Sequence, residues 1–310
     1  MQILFVIIGL NCHNMCPKIS VVMCCYNAEK YLRESIDSIL NQDFEDFEFI
    51  IWDDGSTDST KELIRTYNDS RIRYFYHDNT GLGLALKLAC AEAKGDYIAR
   101  MDADDISLPN RLGIEYEFLK SHKEYVLVSS AVYYIDGDGK IIGRSFPCTE
   151  DDILKRILPI SNMIVHPMVM MRRDSYNKAG GYIPIKKSQD RLFWSRLAKI
   201  GKFSNLITPL GKYRLLDDSL SHNTNPYNPV LYELRKKMIL DEEILESDVL
   251  LYNNLCNYIK SFTIKKGSNY IHNKSFDEHL YSLLKPLLGQ SLSEKIIVGI
   301  KNFYYKIKIP

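Results

Sequence analysis

Apolar runs and amphipathic helical patterns alternate along the first 125 residues of the chain. Proline in the first turn is favoured at the start of a helix, and Pro109 stands just before one of these patterns. The runs predict four strands at 19–25, 47–52, 72–77 and 97–101, and the helical spacing predicts helices over 29–40, 59–67, 82–93 and 111–122. This alternation predicts an α/β fold with a doubly wound, mostly parallel sheet.

The pattern changes in the second part of the chain. Apolar stretches at 126–134 and 140–145 flank Asp136-Gly137-Asp138-Gly139, which predicts a β-hairpin. Helices are predicted over 151–157 and 189–199, a strand over 163–171, and further helices beyond about residue 224. We therefore expect an N-terminal extension at 1–16, a main α/β domain at 17–223 and a helical C-terminal extension at 224–310. The main domain divides into halves at 17–125 and 126–223.

The two ends of the chain each leave two interpretations open. The apolar run at 3–10 is too short to span a bilayer, so 1–16 is either an extra strand or tail, or precedes a translation start at Met15. Residues 291–310 interleave lysines with apolar residues. This pattern is typical of a helix lying on an anionic membrane surface, and equally of a helix packed on its own domain.

Composition narrows the class of protein. Lys and Arg number 40 and Asp and Glu number 39, so no basic field favours nucleic acid as a partner. Seven scattered cysteines are typical of reduced thiols, which predicts a cytoplasmic protein, whether free or peripheral on the inner face of a membrane.

Polar residues follow three of the predicted strands. Parallel α/β sheets bind ligands at the carboxyl ends of their strands, so these residues should converge on one rim. They are Tyr26-Asn27, then Asp53-Asp54-Gly55-Ser56-Thr57-Asp58, then Asp102-Ala103-Asp104-Asp105. A rim this acidic would accept a diphosphate only through a divalent cation, and Asp-x-Asp spacing suits Mg²⁺ or Mn²⁺. Alternatively, aspartates cap helices and hold turns, an interpretation that we expect to apply to Asp58 and to one of Asp53 and Asp54.

These motifs together resemble family-2 inverting glycosyltransferases over roughly residues 17–215. The matching stretches are 17–23 with Tyr26-Asn27, 53–58, and 95–105 followed by Leu108-Pro109-Asn110-Arg111-Leu112. The resemblance implies the Rossmann-like GT-A fold, a divalent cation (Mn²⁺ or Mg²⁺), and a UDP-sugar or other NDP-sugar donor. It also implies a glycan or lipid-linked acceptor, in cell-surface polysaccharide or glycoconjugate synthesis.

The resemblance assigns the donor side residue by residue. It implies that Asp54 contacts the base, that Tyr26 and Asn27 lie near the nucleotide, and that Asp102 lies by the ribose or the metal. Asp104 or Asp105 would be the principal metal ligand. For Arg111 we expect a place on the donor side, either paired with the acidic cluster or reaching phosphate.

The acceptor side is assigned around Ser188-Gln189-Asp190-Arg191-Leu192-Phe193-Trp194. Asp190 matches the family's general base, which removes the proton of the acceptor hydroxyl as it attacks the anomeric carbon. Gln189 stands where the family usually has Glu or Asp. Trp194, in the same stretch, and the more distant His166 would also lie on the acceptor side. The alternative for Asp190 is an acid favoured at a helix N-terminus.

Two other functions fit parts of the pattern. Asp102-x-Asp104 and Asp53-Asp54 also resemble motifs of haloacid-dehalogenase-type phosphatases, although their order along the chain is reversed here. A catalytically dead sugar-nucleotide-binding module is the second alternative, but the retained aspartates argue against it.

Overall fold

The computed structural model describes residues 16–158, 162–185 and 188–216. The proposed extensions at 1–16, except for Cys16, and at 224–310, including the tail at 291–310, lie outside these residues. No helix within the described ranges is long and apolar enough to cross a membrane.

Residues 19–121 build the parallel part of the sheet, with helices between its strands. The elements are β1 (Ile19–Cys25), α1 (Leu32–Leu40), β2 (Phe47–Asp53), α2 (Thr60–Arg65), β3 (Ile72–Tyr76), α3 (Leu82–Ala91), β4 (Tyr97–Asp102), β5 (Ile106–Ser107) and α4 (Arg111–Ser121). The central strands pair in the order β3-β2-β1-β4, all parallel.

Residues 125–214 extend the same sheet with mixed pairing. The elements are β6 (Tyr125–Ile135), β7 (Ile141–Arg144), α5 (Asp151–Ile157), a 3₁₀ turn (His166–Met168), β8 (Met170–Arg172), α6 (Arg173–Lys178), α7 (Gln189–Leu197) and β9 (Lys202–Arg214). Strand β8 joins β4 and β6 antiparallel, β6 and β9 run parallel, and β5 pairs antiparallel with β9. The described strands form one nine-stranded sheet, β3-β2-β1-β4-β8-β6-β9-β5, with β7 on β6.

The hydrophobic core lies on both faces of this sheet. Side chains of a strand alternate between faces, so Val22 packs with Leu86 of α3 on one face, while Met23 packs with Ile36 of α1 on the other. Strands covered on both faces need apolar residues at nearly every position. This burial explains why the central strands appear as continuous apolar runs in the sequence.

The predicted strand over 163–171 is largely wrong. Only Met170–Arg172 is strand, and His166–Met168 forms a 3₁₀ turn. Pro167 lies in this turn; it has no N–H to give to a sheet ladder and its φ is fixed, so it favours a turn over a strand. Gly81 opens α3, with a φ of +84° that few other residues adopt readily.

Candidate active site

Register brings the polar strand ends together. Cys25 of β1 lies opposite Asp53 of β2, and Cys24 lies opposite Asp102 of β4. The residues that follow these strands therefore share one edge of the sheet. This confirms the rim that the sequence predicts.

Tyr26 and Asn27 lie at the centre of the rim. The Tyr26 side chain is 51% exposed, so its ring is free to meet a ligand. Asn27 has a φ of +49°, a conformation that Asn tolerates better than most residues. Its Oδ1 accepts from the backbone N–H of Thr57 at 2.8 Å, and its own N–H donates to Ser56 Oγ at 2.9 Å. Asn27 thus joins the loops after β1 and β2.

Asp53 and Asp54 both hold loops. Asp53 accepts from the backbone N–H of Ser56 and from the Tyr74 hydroxyl, each at 2.9 Å. Asp54 is buried and accepts from the backbone N–H groups of Thr80 (2.9 Å) and Gly81 (2.8 Å). The turn-holding role expected for one of the pair therefore applies to both.

Asp58 holds the turn before α2, which is one of the structural roles expected of it. Its carboxylate accepts from the backbone N–H of Thr60 at 3.0 Å and from that of Glu29 at 3.2 Å. These hydrogen bonds favour the charged form and outweigh burial, which acts against it, so the pKa of Asp58 is lowered.

Three carboxylates form an acidic cluster at the end of β4. Asp102, Asp104 and Asp105 each offer an oxygen within 4.8 Å of the others. Asp105 is only 1% exposed, and its Oδ2 has no hydrogen-bond partner among the described residues. Burial and the neighbouring carboxylates raise the pKa of Asp105 well above its usual range, and burial and Asp102 raise that of Asp104 to about 6. Such oxygens fit a hard divalent cation, which would favour their charged forms.

Two buried arginines support this cluster. Arg100 is ion-paired with Asp102, whose attraction overcomes the effect of burial and raises the pKa of the guanidinium. Arg214 donates from its backbone N–H to Asp105 Oδ1 at 2.8 Å and from Nε to the Asp104 carbonyl at 2.9 Å. Its Nη2 lies 2.6 Å from Oε2 of Glu34, so one side chain joins β9, α1 and the acidic loop.

Sequence reasoning missed both arginines. Arg100 carries a detectable signal, because a charge inside an otherwise apolar strand must find a partner, and Asp102 lies two residues further along the strand. Arg214 carries no such signal in the sequence, because the strand that holds it, β9, was not predicted.

The expected place of Arg111 on the donor side is wrong. Arg111 has no exposed surface and lies under the sheet, where its Nε is 3.2 Å from Oε2 of Glu115. Its Nη2 donates to the carbonyl of Arg100 at 2.8 Å. A buried guanidinium needs such a partner, and this pairing turns Arg111 away from the rim.

Asp190 lies in the first turn of α7. The residue before this helix, Ser188, ends the preceding segment with a φ of +60°. Oδ2 of Asp190 accepts from Nδ2 of Asn162 at 2.6 Å, a contact that sequence reasoning did not anticipate. Its neighbour Gln189 is buried.

His166 and Trp194 pack beside α7. Nε2 of His166 lies 2.8 Å from the Tyr182 hydroxyl, and the rings of His166 and Trp194 meet edge to face at 5.7 Å. Burial and the charge of Arg100 lower the pKa of His166 well below its usual value, so the ring is neutral at pH 7. Trp194 is fully buried, and its Nε1 has no partner within the described part of the chain.

Charges from both sides of the site act on Tyr182. Burial and Cys90 raise the pKa of its hydroxyl, Arg100 lowers it, and Asp190 raises it further. Arg100 is in turn the ion-pair partner of Asp102 in the acidic cluster.

Comparison with known proteins identifies a family. The family model for glycosyl transferase family 2 matches residues 20–180. The chain is 37% identical over 206 residues to the uncharacterized glycosyltransferase MJ1057 of Methanocaldococcus jannaschii, covering 64% of this chain and 71% of that protein. It is 32% identical over 215 residues to the O-antigen biosynthesis glycosyltransferase WbnJ of Escherichia coli, covering 67% and 84% respectively.

The fold has a solved counterpart. The structure of TarS residues 1–349 from S. aureus, in complex with UDP-GlcNAc, matches with a TM-score of 0.61 at 20% identity. The match covers 87% of this chain and 81% of the TarS chain, and identity this low shows the fold alone. It agrees with the predicted GT-A architecture. The family match removes the phosphatase alternative, and the chain belongs to glycosyl transferase family 2.

Proposed function

We propose that this glycosyltransferase moves a sugar from an NDP-sugar, with UDP as the first nucleotide to test, to a hydroxyl of a glycan or lipid-linked acceptor. WbnJ, named for O-antigen biosynthesis, supports a role in cell-surface polysaccharide or glycoconjugate synthesis. TarS, bound to UDP-GlcNAc in its crystal structure, supports the choice of UDP.

The acidic cluster carries the donor side of this proposal. The supporting observation is the buried Oδ2 of Asp105, which has no partner in the described ranges and lies beside the carboxylates of Asp102 and Asp104. These three residues would hold Mn²⁺ or Mg²⁺. When bound, the cation neutralises charge on the departing diphosphate. Tyr26, Asn27, Asp54 and Asp102 would surround the nucleotide, with the exposed ring of Tyr26 available to the base.

Asp190 carries the acceptor side. Its carboxylate would take the proton of the acceptor hydroxyl while the oxygen attacks the anomeric carbon from the face opposite the diphosphate. A single attack inverts the anomeric configuration. The neutral His166, together with Gln189 and Trp194, would line the acceptor side. The burial of Gln189 and Trp194 suits exclusion of water better than direct proton transfer.

The test is a donor screen. A panel of NDP-sugars is incubated with the enzyme and Mn²⁺, and release of the nucleotide is measured. We expect one donor to be turned over and Asp104→Asn to abolish its turnover. Asp174→Asn, exposed in the first turn of α6, is the matched control and should behave like wild type. If no donor is turned over but one binds, the dead-module alternative is correct.

The tail at 291–310 supports a second proposal, which rests on the sequence alone. Its interleaved lysines and apolar residues would contact an anionic membrane surface. Co-sedimentation with liposomes containing phosphatidylserine should fall when these residues are deleted and when salt is raised. Unchanged co-sedimentation after the deletion would favour packing of the tail on its own domain.

A further inference from the structure

Asn162 makes two side-chain hydrogen bonds in opposite directions. Its Nδ2 donates to Oδ2 of Asp190 at 2.6 Å, across 28 residues of sequence. Its Oδ1 accepts from the backbone N–H of Ile164 at 3.1 Å. No motif in the sequence singles out this residue.

The two partners together fix which way the amide points. A backbone N–H can only donate, so it selects the carbonyl end of Asn162. The carboxylate of Asp190 accepts, so it selects the amino end. Turning the amide over would place donor against donor and acceptor against acceptor, at the cost of both hydrogen bonds.

The backbone that carries Asn162 is itself held from the sheet. Nδ2 of Asn205 on β9 donates to the carbonyl of Met163 at 3.1 Å, and Oγ of Ser129 on β6 donates to the carbonyl of Val165 at 3.1 Å. The side chain of Ile164 lies in the hydrophobic core. The amide therefore projects from a supported segment, as a group that positions another group must.

Asn162 occupies Oδ2 of Asp190, and no hydrogen bond to Oδ1 is found within the described ranges. The terminal torsion of an Asp side chain has a broad, roughly twofold preference, so the carboxylate is free to turn when nothing holds it. The hydrogen bond from Asn162 to Oδ2 removes that freedom and leaves Oδ1 to receive a proton. We propose that Asn162 is a positioning residue that orients the carboxylate of Asp190 for removal of the acceptor's proton, an inference that rests on the proposed function.

Three variants separate positioning from a purely structural role. Asn162→Ala removes both hydrogen bonds, whereas Asn162→Asp keeps an acceptor for Ile164 and replaces the donor with a second acceptor. Both should lower kcat by about 10- to 100-fold, the cost of a misplaced catalytic group. Affinity for UDP with Mn²⁺ should stay within about twofold of wild type, because Asn162 lies on the acceptor side in this account. The third variant, Asp190→Asn, gives the reference for loss of the base.

A double-mutant cycle gives the decisive readout. If Asn162 acts only through Asp190, adding Asn162→Ala to Asp190→Asn should change kcat by less than about twofold. A similar loss in both backgrounds, or wild-type kcat for the Asn162→Asp variant, would overturn the inference. Melting temperatures and Mn²⁺-dependent UDP binding check folding, and the isosteric Asn162→Asp supplies the answer if Asn162→Ala does not fold.

The same data distinguish failure of the role of Asn162 from failure of the proposed function of Asp190. Wild-type kcat in the Asp190→Asn enzyme would overturn both the assignment of the base and the role of Asn162. A large loss in Asp190→Asn beside wild-type kcat in Asn162→Ala would overturn the role of Asn162 alone.

Discussion

Arg111 and Glu115 form an ion pair one turn apart on α4, and neither side chain has exposed surface. Nε of Arg111 lies 3.2 Å from both carboxylate oxygens of Glu115. Burial raises the pKa of Glu115 to about 7 despite the opposing effect of Arg111. The pair joins α4 to β4 through the carbonyl of Arg100, so its role is to hold the fold beneath the acidic cluster.

Breaking this pair should cost stability without affecting the donor site. Arg111→Met leaves the buried carboxylate of Glu115 without its partner and should lower the free energy of unfolding by about 3–5 kcal/mol. Adding Glu115→Leu removes the orphaned group and should restore much of the loss. Urea unfolding measures both effects. A folded Arg111→Met enzyme with strongly weakened UDP binding would instead return Arg111 to the donor side.

Donor binding should depend on the divalent cation. Asp105 is buried and Asp104 is half-buried beside Asp102, so a diphosphate would meet uncompensated negative charge without a metal. Calorimetry should show UDP binding with Mn²⁺ that EDTA abolishes, and Asp104→Asn should weaken it by about 10-fold or more. Equal UDP affinity in EDTA would contradict the metal assignment, and Asp174→Asn serves as the unaffected control.

His166 should make the fold sensitive to acid. Burial and the charge of Arg100 hold the folded-state pKa of His166 well below 6.5. Below pH 6.5 the imidazole is therefore protonated in the unfolded chain but stays neutral in the folded chain. Its stabilisation is complete above pH 6.5 and is lost as the pH falls. Between pH 7.5 and 5.5, wild type should lose about 1.4 kcal/mol more unfolding free energy than His166→Gln, which can still hydrogen-bond Tyr182. Parallel pH profiles of the two proteins would show that His166 does not titrate this way. Subtracting the variant's profile removes the opposite contribution of Asp104 and Asp105.

The central strands and the rim could be predicted from sequence because each leaves a local signature. Strand β1 is buried on both faces, so it appears as an apolar run. Asp102-x-Asp104 follows directly on the apolar run of β4. Strand β9 could not be predicted in this way. Pro209 and Gly211 interrupt its pattern, and its pairing with β6 shifts register at Ala131.

The contacts that complete the site are long-range and leave no periodic signal. Arg214 reaches Asp105 across 109 residues, and Asn162 reaches Asp190 across 28. Only the folded structure shows that Arg214 hydrogen-bonds Asp105 and that Asn162 hydrogen-bonds Asp190. Asp54 illustrates the opposite limit. Its motif is visible in the sequence, but its hydrogen bonds to the loop at Thr80 are not.

We propose Asp190 as the general base of an inverting transfer, with the cation held on the opposite side of the sugar. The decisive experiment compares kcat of Asp190→Asn with that of the exposed control Asp174→Asn on α6, using the donor found by the screen. We expect kcat of Asp190→Asn to fall by about 10²- to 10⁴-fold, with donor affinity unchanged, because the amide keeps the shape of the carboxylate but cannot take a proton. An Asp190→Asn enzyme with near wild-type kcat would contradict it.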